Sequence, residues 1–233
     1  MPVALVTGAS RGLGRALAEE LANRDWDLIV DARNDGILQS VARAWRGAGK
    51  VTALAGDVAD PVHRGELAHA IRELGRLDLL VNNASELGPS PQPQLDDYPL
   101  DELERVYRIN TLGPLAIVQL VLPELIASRG AVVNLSSDAA VEAYPGWGGY
   151  GSSKAALDQL SAVLAAEQPG LSVYAFDPGD MRTSMQQQAF PGEDISDRPE
   201  PHTVIPALMR LLEERPLSGR YRGTDLLVGQ GST

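Results

Sequence analysis

The stretch "LVTGASRGLGRA", residues 5–16, decides the fold of this chain, because it joins an apolar run to a helical pattern. Its inner part, "GASRG", fits the G-x-S-x-G pattern of a hydrolase nucleophile elbow, with Ser10 as the nucleophile. The longer "TGASRGLG" fits a glycine-rich turn that leads into a helix N-terminus able to hold a pyrophosphate. Both interpretations need a strand, a sharp turn and a helix, so the rest of the chain has to separate them.

Apolar β-rich runs alternate with amphipathic patterns along the rest of the chain. The predicted strands are "VALVTG" from Val3, "DLIVDA" from Asp27, "KVTALAG" from Lys50, "LDLLVNNA" from Leu77, "AVVNLSS" from Ala131, "SVYAFDPG" from Ser172 and "TDLLVG" from Thr224. Helical spacing of apolar residues marks the stretches between them, such as "VHRGELAHAIRELG" from Val62. Most strands are continuously apolar, which is typical of strands covered on both faces. The alternation predicts an α/β fold, with a doubly wound parallel sheet of about seven strands and helices on both faces.

Composition limits the classes of function. A net charge of -11 argues against nucleic acid and anionic membranes as partners, because like charges repel the phosphates. The chain has no Cys, which excludes disulfides, thiolate metal sites and a cysteine nucleophile, and no metal site is predicted. The N-terminus shows no signal-peptide pattern, and the longest apolar run, from Leu112, is interrupted by Gln119 and two prolines, so we expect no membrane span. A soluble, cytoplasmic protein is expected.

Two long, proline-rich loops follow predicted strands. They cover residues 85–100 and 184–202, and both are polar and long for a compact domain. Because ligands bind at the carboxyl ends of strands in such sheets, these loops are predicted to contact the substrate.

The hydrolase interpretation lacks its partner residues. A Ser10 nucleophile needs an acid and a histidine later in the chain, and the chain has three histidines. His63 and His69 are interpreted as part of a solvated helix face, and His202 as a surface or capping residue at a proline-flanked helix entry. No HGGG-type oxyanion segment is present, so the serine hydrolase is kept only as an alternative.

Later motifs support the dinucleotide interpretation. They are "NNA" at residues 82–84, "LSS" at 135–137, "YGSSK" at 150–154 and "DPGDMRT" at 177–183. Tyr150 and Lys154 are four residues apart and therefore lie on one face of a helix. In this order the motifs resemble the short-chain dehydrogenase/reductase family over essentially the whole chain. The resemblance implies one Rossmann-type dinucleotide-binding domain over residues 1–233 and an NAD(P)-dependent oxidoreductase that transfers hydride between a nicotinamide and a carbonyl/alcohol pair.

The same resemblance implies the catalytic residues. Tyr150 would donate the proton, and its free pKa of ~10 requires ~4 kcal/mol of phenolate stabilisation to approach 7. Lys154 would supply positive charge and bind the nicotinamide ribose, and Ser137 would hold the substrate oxygen. Asn110, in "YRINTLG", matches the fourth catalytic position of the family, which is linked through water to the lysine. The alternative for Asn110 is a structural role, bonding backbone in a helix kink.

Cofactor residues also follow from the resemblance. They are Thr7, Gly8, Ser10, Arg11, Gly12, Leu13 and Gly14 for the pyrophosphate and adenosine side, Asp57 and Val58 for adenine, Asn83 and Ala84 for the adenine ribose, and Pro178, Gly179 and Thr183 for the nicotinamide, with Tyr150 and Lys154. Ser85 departs from the family, which usually has Gly after "NNA".

The end of the second strand, "IVDARN", bears on cofactor choice. Counting from Gly14 in the family register places Ala32 at the specificity position, with Arg33 next. Asp31 then points elsewhere by strand alternation. Because guanidinium groups of Arg11 and Arg33 favour phosphate, NADP(H) is expected in preference to NAD(H).

Residues 146–187 and a later "SGRY" are similar to sepiapterin reductases and related bacterial diketone reductases. This similarity predicts a small ketone or dicarbonyl substrate, with a 3-oxoacyl-thioester reductase or a non-catalytic cofactor sensor as alternatives. Trp147 is predicted to wall the pocket, although a surface or interface aromatic would show the same pattern, and Met185 is predicted to contact substrate. Asp225 is the candidate substrate anchor, but direct alignment places Gly223 where the acid should be. The family's helical interface predicts a homodimer or homotetramer, and intrachain packing explains the same apolar faces equally well.

Overall fold

A computed structural model describes residues 1–47 and 49–227. The strands are β1 Val3–Val6, β2 Asp27–Ala32, β3 Val51–Ala55, β4 Leu79–Asn82, β5 Ala131–Leu135, β6 Ser172–Asp177 and β7 Gly219–Arg222. The helices are α1 Gly12–Asn23, α2 Asp35–Ala44, α3 Pro61–Leu74, α4 Leu100–Tyr107, α5 Gly113–Ser128, α6 Gly148–Glu167, α7 Ser184–Ala189, α8 Ile205–Glu214 and α9 Gly223–Leu227. A π-helical turn, Arg108–Leu112, joins α4 to α5, and 3-10 turns occupy Asp138–Ala140 and Pro201–Val204.

The seven strands form one parallel sheet in the order β3-β2-β1-β4-β5-β6-β7. This confirms the predicted doubly wound fold. The strand order reverses direction between β1 and β4, which lie side by side, with Ala4 opposite Leu79. The loops after these two strands therefore leave the sheet in opposite directions and open a cleft at their carboxyl ends.

Each central strand contributes to two apolar layers. Val3 and Leu5 pack with the residues of α3 and α5, whereas Ala4 and Val6 pack with those of α1, α2 and α8. The alternation arises because successive side chains of a strand point to opposite faces. It explains why β1 is apolar at every position.

The glycine-rich turn after β1 needs its glycines for steric reasons. Gly8 has a φ of +68°, and a Cβ at this position would lie 2.9 Å from the Cα atom of Ala84. A Cβ at Gly14 would lie 2.6 Å from the carbonyl oxygen of Gly8. The first turn of α1 consequently packs directly against the end of β1.

The prediction for the last strand was wrong. Strand β7 is Gly219–Arg222, and the stretch from Thr224 belongs to α9, with residues 228 and 229 of "TDLLVG" outside the described residues. Strand β7 pairs with β6, and the Tyr221 ring packs edge-on against Tyr174 with the ring centroids 5.8 Å apart. Cross-strand packing therefore outweighs the apolar pattern of "DLLV".

The helical stretch Leu100–Ser128 is longer than the apolar run that begins at Leu112 in the sequence. The reason is that the π-helical turn joins α4 and α5 into one continuous stretch. By length and composition this stretch is apolar enough to cross a membrane, with a mean hydropathy of 1.5 in its most apolar window. Half of that window is buried inside the protein, and the apolar residues of α5 form one core layer with α3. The buried helix of a protein core can meet the same criteria of length and apolar composition as a membrane-spanning helix.

Candidate active site

A cavity of about 390 Å³ opens at the carboxyl ends of the strands. The predicted site residues that line it are Gly8, Ser10, Arg11, Gly12, Leu13, Arg33, Asp57, Val58, Asn83, Ala84, Tyr150, Lys154, Pro178, Thr183 and Met185. The predicted residues outside this lining are Thr7, Gly14, Asn110, Ser137, Trp147, Gly179 and Asp225. The fold thus brings the segments after six strands, β1 to β6, to one cavity together with the start of α6.

Tyr150 and Lys154 lie in the first two turns of α6. The Lys154 ammonium donates to the carbonyl oxygen of Leu135 at 2.7 Å and lies 5.5 Å from the centroid of the Tyr150 ring. Burial lowers the pKa of Lys154 to about 8, and the negative charge of Asp158, one helical turn further on, opposes this shift. The helix therefore holds a positive charge beside the tyrosine at neutral pH.

Burial raises the pKa of Tyr150 above its usual value, which favours the protonated phenol. Hydrogen bonding by Ser85 is the next largest influence and lowers this pKa, whereas Asp177 and Asp138 raise it by charge repulsion. Hydrogen bonding by Ser137 lowers the pKa of Tyr150 as well, but less than that by Ser85.

The Ser137 hydroxyl is directed at its neighbour in the chain. It donates to Oδ1 of Asp138 at 2.9 Å and accepts from the backbone N–H of Ala139 at 3.2 Å. The other carboxylate oxygen of Asp138 accepts from the hydroxyl of Tyr144 at 3.2 Å. Asp138 is thus a charged group beside the predicted catalytic serine.

Asn110 is fully buried in the π-helical turn between α4 and α5. Its Oδ1 accepts from the backbone N–H of Glu86 at 2.8 Å, and its Nδ2 donates to the Glu86 carbonyl oxygen at 2.8 Å and to Ser153 Oγ at 3.0 Å. The side chain therefore ties the loop after β4 to α6, which is a backbone-bonding role. The predicted water link to Lys154 stays a prediction.

The interpretation of His63 as a solvated residue was wrong. Its side chain is 3% exposed on α3, and its Nε2 lies 3.1 Å from Oδ2 of Asp31. His69, on the same helix, is 74% exposed as predicted, and His202 is exposed in the 3-10 turn before α8. His63 thus pairs with Asp31, at the end of β2.

Asp31 lies at the end of β2, in the lining of the cavity, with its carboxylate already bonded within the protein. It is 1% exposed, and its Oδ1 accepts from the backbone N–H of Gly8 at 2.8 Å. The Arg33 side chain is half exposed at the same strand end and lies 3.5 Å from the Glu86 carboxylate. This is the arrangement that strand alternation predicts for Asp31, and His63 stabilises it.

The turn after β4 is tied to the glycine-rich turn. Asn83 donates from Nδ2 to the carbonyl oxygens of Thr7 and Gly8 at 2.8 and 3.1 Å. The hydroxyl of Thr7 accepts from the backbone N–H groups of Asn83 and Ala84, both at 3.0 Å. Thr7 therefore supports the cleft from below without lining it.

One aromatic ring packs directly against Tyr150. The centroid of the Trp147 ring lies 5.9 Å from that of Tyr150 and 6.1 Å from that of Phe190, and Met185 packs against the cluster that holds Tyr150. Trp147 lies outside the residues that line the cavity, so its role as a pocket wall stays a prediction. Asp225 is exposed on α9, and the residues that line the cavity do not include it.

Several lining residues were not predicted. They include Glu86, Leu87, Arg105, Met181 and Gln188. Glu86 and Leu87 follow Ser85 in the chain and lie in the loop 85–100, which was predicted to contact the substrate without naming these residues. Arg105 reaches the cavity from α4 and lies 3.1 Å from the Glu86 carboxylate, a contact that depends on the tertiary fold.

Arg220 on β7 was also missed. It donates to Asp158 at 3.1 Å, to Asp177 at 2.9 Å and to the carbonyl oxygen of Ser137 at 2.9 Å. Its position in the "SGRY" stretch was the signal by which the sequence could have indicated Arg220 as a site residue. Arg220, on the edge strand β7, thus fixes the backbone of the predicted catalytic serine.

A parallel sheet with a glycine-rich turn at the reversal of strand order, and a Tyr–Lys pair beside it, defines a Rossmann-type dehydrogenase. The short chain dehydrogenase family model matches residues 2–194, and the chain belongs to this family. It is therefore an oxidoreductase.

Known relatives agree with this assignment. The chain is 36% identical to sepiapterin reductase of Mus musculus over 201 residues, which cover 80% of this chain and 77% of that protein. It is 37% identical to a benzil reductase ((S)-benzoin forming) of Saccharomyces cerevisiae over 194 residues, covering 79% and 73%. A solved short chain dehydrogenase of Shigella flexneri complexed with NADP superposes with a TM-score of 0.89 at 29% identity, covering 96% of this chain and 97% of that one.

Proposed function

We propose that this oxidoreductase uses NADPH to reduce a small ketone or vicinal dicarbonyl to an alcohol, with Tyr150 as proton donor. The observation that carries the proposal is the buried Tyr150–Lys154 pair in the cavity lining, with the Trp147 ring packed edge-on against Tyr150. The pair supplies the proton, and the side chains of Leu87 and Met185 in the lining supply an apolar surface for the carbonyl substrate.

Tyr150 is placed to protonate the carbonyl oxygen. When bound, the nicotinamide supplies the hydride that reduces the carbonyl carbon. Tyr150 gives its hydroxyl proton to the oxygen and becomes a phenolate, which the Lys154 ammonium stabilises by opposite charge. Because burial raises the pKa of Tyr150, the phenol stays protonated until the substrate accepts the proton. Ser137 would turn its hydroxyl from Asp138 to hold the substrate oxygen.

The turn before α1 fits a dinucleotide pyrophosphate. Arg11 caps the helix without a side-chain hydrogen bond, so the first backbone N–H groups of α1 remain available for an anion. A Cβ on Gly12 would meet Thr183 at 3.6 Å and nothing closer, so the backbone there is open to a ligand. The cofactor is therefore assigned to Gly8, Arg11, Gly12 and the residues that line the cavity beside them.

The preference for NADPH rests on the end of β2. The Asp31 carboxylate already accepts from the Gly8 N–H and pairs with His63. It is therefore not free to accept hydrogen bonds from ribose hydroxyls or to repel a phosphate. Ala32 adds no charge, and the half-exposed Arg33 supplies a guanidinium that suits a 2′-phosphate. The Shigella relative was solved with NADP, which agrees with this choice.

Arg33→Ala is expected to weaken NADPH binding much more than NADH binding. Hydrogen bonds to a charged phosphate contribute ~1.5–3 kcal/mol, which corresponds to a loss of about 10- to 150-fold in affinity. The Kd values for both cofactors are measured by fluorescence titration, with Arg43→Ala, an exposed arginine of α2, as the control. Equal losses for both cofactors, or a wild-type preference for NADH, would contradict the assignment.

The substrate proposal is supported by one relative and by the position of Asp225. The yeast relative is named for benzil, a diketone with two aryl groups, and the apolar Leu87 and Met185 of the cavity lining suit such rings. A pterin carries ring N–H and amino donors, which need buried acceptors, since each unsatisfied group costs ~1–3 kcal/mol. Asp225 is exposed outside the cavity lining and does not meet that need.

Vicinal diketones are therefore expected to be reduced with a higher kcat/KM than sepiapterin. The measurement is a side-by-side assay that follows NADPH consumption, with the Asp225→Asn variant as the control. If sepiapterin is the better substrate and Asp225→Asn removes its advantage, the pterin anchor is present and the diketone proposal is wrong. If no carbonyl compound is reduced, the proposed function itself fails.

A further inference from the structure

Ser85 occupies a place in the site that the family pattern does not give to a side chain. The residue after "NNA" is usually Gly in the family, whereas here a serine hydroxyl enters the cavity lining beside Tyr150 and Lys154. Its Oγ donates to Oδ1 of Asn110 at 3.1 Å. Ser85 thus binds the buried asparagine from the same cavity lining that holds Tyr150, close enough for its hydroxyl to lower the pKa of Tyr150.

The direction of these hydrogen bonds follows from the backbone. Glu86 donates its N–H to Oδ1 of Asn110 and accepts from Nδ2 with its carbonyl oxygen, both at 2.8 Å. This pair fixes which end of the amide faces Ser85, because only Oδ1 can accept a backbone N–H. The Ser85 proton therefore points at Oδ1, and its lone pairs remain to accept from the Tyr150 hydroxyl.

The same reasoning applies to the other serine beside Tyr150. Ser137 donates its proton to Asp138, so in this state it too can only accept from the phenol. After the phenol has lost its proton, a serine next to it must turn its own O–H toward the phenolate. For Ser85 this change costs little, because Asn110 Oδ1 keeps its bond from the Glu86 N–H.

We propose that Ser85 is a further catalytic residue, whose hydroxyl orients the Tyr150 phenol before proton transfer and donates to the phenolate oxygen afterwards. The proton goes from Tyr150 to the carbonyl oxygen, and Ser85 keeps its own proton throughout, so that it stabilises charge and relays nothing. This role rests on the proposed carbonyl reduction.

The charged groups around Tyr150 determine what a pH measurement reports. Lys154 faces it from α6, Asp177 from the end of β6 and Asp138 from the 3-10 turn after β5. All three remain in a Ser85 variant, so a change in the pH profile comes from the lost hydroxyl. The titrations of Tyr150 and Lys154 are coupled, so an apparent pKa belongs to the pair. The apparent pKa of each variant is therefore compared with that of wild type.

Ser85→Ala and Ser85→Gly are expected to move the pH profile to higher pH. With NADP⁺ and the alcohol product, kcat/KM should rise with pH as Tyr150 ionises, and loss of a donor to the phenolate should raise this apparent pKa by about one unit. The Kd of NADPH should stay within about twofold of wild type, since Thr7 and Asn83 still hold the turn after β4.

Two further variants serve as controls. Ser85→Thr retains a hydroxyl and should keep the wild-type profile. Ser152→Ala removes an exposed serine of α6 that bonds only the Gly149 carbonyl in its own helix, and it should change neither the profile nor the affinity. A profile of Ser85→Ala and Ser85→Gly that superimposes on wild type overturns the proposal, as does an equal shift in Ser85→Thr.

A second readout separates this proposal from the proposed function. NMR of isotope-labelled tyrosine in the NADP⁺ complex follows the Tyr150 ring directly, with its signal assigned by loss in Tyr150→Phe among the six tyrosines of the chain. The Ser85→Ala variant should titrate about one pH unit higher than wild type. This shift is expected even if the carbonyl compounds tested are not substrates, whereas an unchanged titration alongside normal turnover overturns only the role of Ser85.

Discussion

Tyr150→Phe is expected to lower kcat by about 10²- to 10⁴-fold, because the variant lacks the group that protonates the carbonyl oxygen. The ring remains, so its contact with Trp147 and the position of Lys154 under Leu135 are preserved. The affinity for NADPH should therefore stay near that of wild type. Steady-state turnover of a reducible diketone, together with fluorescence titration of NADPH, measures both quantities.

Tyr174→Phe is the matched control for this prediction. Its hydroxyl donates to the carbonyl oxygen of Pro216 at 3.0 Å, and the residue does not line the cavity. The control should retain wild-type kcat. A Tyr150→Phe variant that keeps more than about a tenth of the activity would show that another group supplies the proton.

The second large effect concerns stability and comes from the buried pair of His63 and Asp31. His63→Ala leaves the Asp31 carboxylate buried with only the Gly8 N–H as a partner. Removing one member of a buried pair typically lowers the free energy of unfolding by ~3–5 kcal/mol. His69→Ala, on the same helix but exposed, should change it by less than ~0.5 kcal/mol. Denaturant unfolding of both variants and wild type gives the comparison.

The loss of unfolding free energy in His63→Ala should become smaller as the pH rises. The hydrogen bond to Asp31 raises the pKa of His63 above its value in the unfolded chain, which is ~6.5. The stabilisation is then fully present below pH ~6.5 and is lost as the pH rises through the folded-state pKa. The difference between wild type and variant should consequently shrink at alkaline pH. A difference that grows with pH, or one no larger than that of His69→Ala, would contradict an ionised pair.

The fold could be predicted from local patterns because its main features depend on near neighbours in the chain. Continuously apolar strands alternating with helical spacing predicted the parallel sheet, and six of its seven strands were predicted at the right places. The four-residue spacing of Tyr150 and Lys154 placed both on one face of α6, since a helical turn is nearly that long. The requirement for glycine at positions 8 and 14 likewise follows from how closely a helix start can approach a strand end.

His63 shows where a local pattern was informative but misread. It lies four residues before Leu67 and eight before Ile71, which places it on the apolar face of α3. Its partner, Asp31, comes from a strand that precedes the helix by a whole crossover, so its presence could not be read from the helix. A histidine on a buried face needs a polar partner, and only the packing of α3 on β2 supplied one.

The sequence by itself therefore determined the class of protein and the order of its first six strands, and it predicted the residues that carry a proton. The tertiary structure alone decided which distant segments meet: Ser85 with Asn110, Arg220 with the carbonyl oxygen of Ser137, and β7 with β6 in place of the strand predicted at Thr224. The physical reason is that hydrogen bonds and ring contacts between distant segments depend on positions to within a fraction of an ångström. Apolar periodicity specifies which face of an element is buried. It does not specify which polar group of another element contacts that face.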